Sequence, residues 1–122
     1  MSKYIPDAVL DAGLDYIAGS DEYHICAGQP ADYADVTNHS LGHVGIDSGD
    51  FTKDDGDVSG RKLIVGLQTV TPDGDGDVDH IVLVKTTDTT IRGITTISTK
   101  TVATGVDQEI QPFDILELRD PS

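Results

Sequence analysis

Between residues 6 and 18 the apolar positions Val9, Leu10, Leu14 and Ile17 recur at helical spacing, with Asp7, Asp11 and Asp15 marking the opposite side. Pro6 suits a first helical turn, Gly19 suits the stop, and Asp7 sits where the helix dipole favours a negative charge. The pattern predicts an N-terminal α-helix over about 6–18. Residues 23–27 then read as a first strand ended by Gly28-Gln29-Pro30, residues 31–36 as one helical turn, and 41–46 as a second short strand. Residues 47–60, rich in Gly, Asp and Ser, read as a surface loop. From Arg61 onward β-branched and apolar runs at 62–70, 80–86, 91–98 and 109–118 alternate with turns at 73–79, 87–90 and 104–105, and Thr99-Lys100 leads on into Val102 and Ala103. Short strands at close spacing predict a mainly β fold. The expected architecture is an antiparallel β-sandwich or barrel over about 22–118, with the helix covering one face or one open end. No repeat or linker divides the chain, so residues 1–122 read as one domain.

Composition sharpens this picture. Only 5% of residues are aromatic and there is no Trp, so the core must be built mainly from Val, Ile, Leu and Ala. One cysteine, Cys26, cannot close an internal disulfide, and no Cys and His cluster has zinc-site spacing. No stretch approaches the roughly 20 apolar residues of a membrane span, and no signal-peptide profile opens the chain. Twenty-two acidic residues face eight basic ones, for a formal net charge of -14. That balance argues against direct nucleic-acid binding, whose affinity comes from cationic side chains releasing counterions. The excess is almost wholly aspartate, a turn former and poor helix former, which again favours strands joined by acidic turns.

Candidate chemistry is sparse. Asp73, Asp75, Asp77 and Asp79 alternate like the start of a calcium loop, yet Val78 and Val84 stand where such a loop wants Gly and a bidentate Glu. These four are the candidate metal ligands; a hairpin turn kept wet by carboxylates is the favoured reading, with an opportunistic cation site beside it. His39 and His43 are four apart, but Gly42 and Gly45 disfavour a helix that would align them, and His24 and His80 lie far off in sequence. Cys26, between Ile25 and Ala27, reads as a buried inert thiol. Ser59-Gly60-Arg61-Lys62 lacks the glycine spacing and the Lys-Ser or Lys-Thr pair of a phosphate loop, and reads as a turn whose cations pair with nearby acids. With no nucleophile elbow and no singled-out carboxylate pair, the residues predict no catalytic set and no cofactor.

Several pieces gain meaning in order. Ala8-Val9-Leu10-Asp11-Ala12 with Leu14-Asp15-Tyr16-Ile17, then Ile25-Cys26-Ala27-Gly28-Gln29-Pro30 with Tyr33, then Ser59-Gly60-Arg61-Lys62, and finally Phe113-Asp114-Ile115 resemble a family of small structural proteins of tailed bacteriophages. The resemblance spans nearly the full chain, and its specificity lies in the ordered set rather than in any one motif. Gln29 stands where the family often has Glu, and the aspartate turn is more acidic than the family pattern. What the resemblance implies is a non-enzymatic virion component, foremost a capsid decoration (cement) protein on the outer head surface, made in the host cytoplasm. Its expected partners are the major capsid protein or neighbouring virion subunits, and a homo-oligomer, for instance a trimer, with no nucleic acid or membrane. The helix face, the 47–60 loop and the tails are the expected contact surfaces. The alternatives are a tail or collar accessory protein and, from another class, a calcium-dependent adhesion or carbohydrate-binding module.

Overall fold

The computed structural model describes residues 7–56 and 60–118. In chain order its elements are α1 (Asp7–Ala18), β1 (Glu22–Cys26), α2 (Val36–His39), β2 (Ser40–Gly45), β3 (Phe51–Asp55), β4 (Arg61–Val65), β5 (Gln68–Val70), β6 (Gly76–Lys85), β7 (Thr90–Val102), β8 (Gln108–Ile110) and β9 (Phe113–Leu118). A four-stranded sheet in the order β2-β1-β6-β7 faces a three-stranded sheet in the order β3-β4-β9, and β5 pairs with β8 alone. Among the described residues every pairing is antiparallel and the sheets do not close into a barrel. The fold is therefore mainly β, with the expected helix near the N-terminus.

The core explains the long apolar runs at β1 and β6. Tyr23, Ile25, Ile81 and Leu83 project to one side of the four-stranded sheet and meet Phe51, Leu63 and Val65 of the facing sheet. Cys26, Val82 and Val84 project to the other side and are covered by Tyr33 and Val36. Buried on both faces, these two central strands show no alternation of polar and apolar residues. The Tyr23 ring meets Phe113 of β9 with centroids 6.4 Å apart, which bridges the sheets. Its hydroxyl is buried and hydrogen-bonds to no described residue. A buried unpaired hydroxyl costs stability, so Tyr23→Phe should leave folding stability unchanged or raise it by up to about 1 kcal/mol. A fall in chemical-denaturation midpoint would contradict this reading.

Helix α1 buries Leu10, Leu14, Ile17 and Ala18 and packs on β3, β4 and β7. Its aspartates do not simply mark a solvent side: Asp11 accepts a hydrogen bond from Arg61 Nε at 2.9 Å, and Asp15 accepts one from Lys53 Nζ at 2.7 Å. Beside exposed Asp15, the outward surface carries Ala8, Val9, Ala12, Gly13 and Tyr16, all exposed. The last turn carries no basic residue, and β7 supplies one. Arg92 Nη1 donates to the Tyr16 carbonyl at 2.7 Å, its guanidinium lies 3.8 Å from the Tyr16 ring centroid, and its Nη2 binds Asp88. A cation there answers both the free carbonyls and the negative end of the helix.

Four sequence expectations need correction. Residues 47–60 are not one loop. Asp47 caps a single 3-10 turn at Ser48–Asp50, and β3 follows, paired with β4; residues 57–59 of the expected loop lie outside the described residues. Only Phe51 of β3 is buried, so no alternating pattern betrayed the strand. Second, the expected strands at 62–70 and 109–118 are each broken in two. From Ile64 onward β4–β9 and β5–β8 keep one register, forming a ribbon interrupted where Gly66 and Leu67 lie opposite Gln111 and Pro112. Pro112 has no amide hydrogen to offer the ladder, and Gly66 N turns to the Asp50 carbonyl at 2.8 Å. Third, the turn expected at 73–79 is shorter, because β6 already begins at Gly76. Fourth, the helical turn expected at 31–36 forms later, as α2 over Val36–His39.

Candidate functional site

The four aspartates of the alternating motif do not converge. Asp75 accepts hydrogen bonds from Thr104 N and Oγ1 at 2.7 and 3.0 Å, and these hold its carboxyl below the usual carboxylate range. Asp77 accepts from Thr101 Oγ1 at 2.8 Å, and Asp79 from Gly28 N at 2.8 Å and the His80 ring at 2.7 Å. Each ties β6 or its approach to a different neighbour. Gly28 has φ +86, and a Cβ there would come within 3.2 Å of His39 Nδ1, so glycine alone lets its amide reach Asp79 without strain.

Asp73 behaves differently. Its amide donates to the Leu41 carbonyl at 2.8 Å, which anchors it beside β2, while its carboxylate is exposed and takes no hydrogen bond from a described residue. The chain can come this close because position 42 is glycine: a Cβ there would sit 3.0 Å from Pro72 Cα and 3.1 Å from the Thr71 carbonyl oxygen. Asp73 thereby joins Glu22, His24, Thr37, Ser40 and His43 around a cleft of about 340 Å³.

The cleft is built by the β1–β2 register. His24 and His43 are directly paired across the two strands, and their rings stack with centroids 5.1 Å apart at 27°. His24, whose side chain is 9% exposed, forms the floor. Its Nε2 lies 2.9 Å from Glu22 Oε1 and its Nδ1 lies 2.8 Å from Ser40 Oγ. His43 lies above it, exposed, with no hydrogen bond to a described residue. This face of the sheet is opposite to Tyr23 and Ile25, so the cleft opens away from the main core.

Stacked imidazoles present their nitrogen lone pairs side by side rather than at a common point. Both His24 nitrogens are already engaged. Among the described residues no group of three or more His, Cys, Asp or Glu side chains is arranged to hold a metal ion. The other histidines serve elsewhere: the His39 ring meets the Ala27 carbonyl at 2.8 Å and Asp35 at 3.1 Å, and His80 meets Asp79. The Cys26 thiol is fully buried, and burial with the nearby Asp79 charge pushes its pKa up to about 12, the opposite of an activated nucleophile. Arg61 binds Asp11 and Asp55, and Lys62 lies 3.6 Å from Asp114, as the turn reading of that segment expected; Ser59 lies outside the described residues. A second concavity of about 340 Å³, walled by Ile97, Ile110, Pro112 and Phe113, has Lys100 as its one ionisable lining residue.

No family model, curated protein or solved structure matches the chain. Function is therefore argued from the geometry and the sequence.

His24 and His39 should titrate in a set order. Burial lowers the His24 pKa below the ordinary imidazole value of about 6.5, against a smaller raising pull from Glu22. The Ala27 carbonyl, and then Asp35, raise that of His39. The unfolded chain thus takes up a proton at position 24 that the folded chain refuses, and stability falls as pH drops below about 6.5. His39 works in the opposite sense, its contribution being full below about 6.5 and lost as pH rises through its raised value. A two-dimensional NMR titration of the ring nitrogens should show His24 titrating below His39, and the reverse order would refute the placement of His24.

Proposed function

We propose that this chain is a virion structural protein, a non-catalytic capsid decoration protein that attaches to the outer head surface and stabilises the shell. The observation that carries the reading is the outward surface of α1. Val9 and Tyr16, 60% and 56% exposed, flank the small residues Ala12 and Gly13, a stripe of uncharged side chains bordered by exposed Asp15 and by Arg92 against the Tyr16 ring, in a chain of net -14. The helix's neighbouring aspartates Asp11 and Asp15 are each paired with a cation, Arg61 and Lys53, which lessens the repulsion that an approaching acidic surface meets there. Aspartate-rich turns over the remaining surface suit a position outside the shell, since beside packaged DNA like charges would repel. The ordered resemblance to tailed-phage structural proteins supports the same reading. Among the described residues no helix is long and apolar enough to cross a membrane.

The test is copy number. Quantitative staining of purified particles should give on the order of hundreds of copies per head, which lets weak individual contacts add up through effective concentration. A small fixed set would instead favour the tail or collar reading, and absence from particles would end both.

A further inference from the structure

The cleft between β1, β2 and the Pro72–Asp73 turn combines features that no single one would make a site. The His43 ring has one face stacked on His24 and is itself exposed, so its second face is open to a planar group. The Asp73 carboxylate is unengaged and is held at the rim by its own backbone bond to Leu41. Glu22 gives one oxygen to His24 and keeps its other oxygen, with its side chain 31% exposed. Ser40 and Thr37 add hydroxyls at the wall. The lining is thus a flat aromatic surface beside two carboxylates contributed by separate elements, with no cation among its residues.

A flat cation that stacks and donates several hydrogen bonds in its own plane fits this set. A guanidinium does so: it stacks on aromatic faces and forms paired hydrogen bonds to carboxylates, whereas an ammonium is a compact, strongly hydrated point charge. A transition-metal ion fits less well, because the lone pairs of the stacked rings do not converge. The charge of the molecule favours the same choice, since a net charge of -14 draws cationic groups toward a concave acidic site.

We propose that this cleft is a receptor for a guanidinium group, namely an arginine side chain displayed by the partner protein to which this chain attaches. The inference rests on the decoration-protein reading for the source of the arginine, and on the cleft alone for the chemistry. It places a second contact on the opposite side of the four-stranded sheet from the core that α1 covers, so that one copy can touch two neighbouring subunits.

The test uses the full chain at pH 7.5, with the His24 and His43 ring resonances followed by NMR as ethylguanidinium chloride is added, and with ethylammonium chloride at equal ionic strength as control. The expected result is a saturable shift of both rings with ethylguanidinium, weakened at least about tenfold in Asp73→Asn. Because the Asp73 carboxylate holds no described partner, that variant should fold, and an unchanged amide spectrum away from the cleft checks it. His43→Ala should weaken binding to a similar degree by removing the stacking surface. N-acetyl-arginine amide, blocked at both ends as in a peptide, should bind like ethylguanidinium. Unsaturable shifts, equal shifts with ethylammonium, or wild-type affinity in Asp73→Asn would overturn the site. Binding of ethylguanidinium but not of the blocked amide would overturn the protein-borne source. These outcomes are independent of the particle copy number: a chain absent from virions that still binds guanidinium selectively would sink the decoration reading and leave the receptor.

Discussion

Leu83→Ala should lower stability by about 2–5 kcal/mol, the range for deleting a buried leucine side chain that leaves a cavity. Leu83 is 0% exposed on central strand β6, paired with Tyr23 of β1 on one side and Gly93 of β7 on the other. Its neighbours are fixed on three strands, and a glycine beside it has no side chain with which to fill the void. For a chain of this size the loss corresponds to a fall in Tm of roughly 8–20 °C. Differential scanning calorimetry of the variant beside Leu67→Ala, whose side chain is 45% exposed, provides the contrast, because the second change should cost far less. Similar melting temperatures for the two variants would mean that the two sheets do not enclose Leu83.

The second large effect is on attachment. Ala12→Glu places a charge at the centre of the exposed α1 stripe without disturbing a buried group, and glutamate is a good helix former, so folding stability should change by less than about 0.5 kcal/mol. Loading onto stripped particles should nonetheless weaken by about tenfold or more, since a charge buried at the middle of an apolar contact is left unpaired. Unchanged loading by a correctly folded Ala12→Glu would show that this face of α1 is not the contact, whatever the copy number.

How much of this could be read from the residues differed by element. The helix was legible because Leu10, Leu14 and Ile17 repeat at its period, and β6 because its apolar run could hardly sit anywhere but in a core. Strand β3 was hidden, since Thr52, Lys53, Asp54 and Asp55 are all exposed and its place is fixed by the backbone ladder to β4. The ion pairs of α1 were hidden for a related reason: helical spacing shows where Asp11 and Asp15 lie around the axis, but not that Arg61 and Lys53 wait beside them. Of the cleft, only the placing of Glu22 and His24 on one side of a strand was available from their two-residue spacing. The stacking of His24 on His43 depends on the β1–β2 register, and the arrival of Asp73 depends on the close approach of Pro72 to Gly42. Neither leaves a mark in the local pattern. Of the alternating aspartates, the most visible motif, Asp75, Asp77 and Asp79 proved to be three separate ties, and only Asp73, whose carboxylate holds no described partner, reaches the cleft.

The ribbon formed by residues 61–70 and 108–118 has a consequence for how the chain reaches its native state. β4 finds β9, and β5 finds β8, only across some forty to fifty intervening residues, so the three-stranded sheet cannot be completed before the last strand has been synthesised. Until then β4 has a bare backbone edge beside Leu63 and Val65, a template for pairing with another nascent copy. Shortening the chain ahead of Phe113 should therefore yield aggregated rather than merely less stable protein.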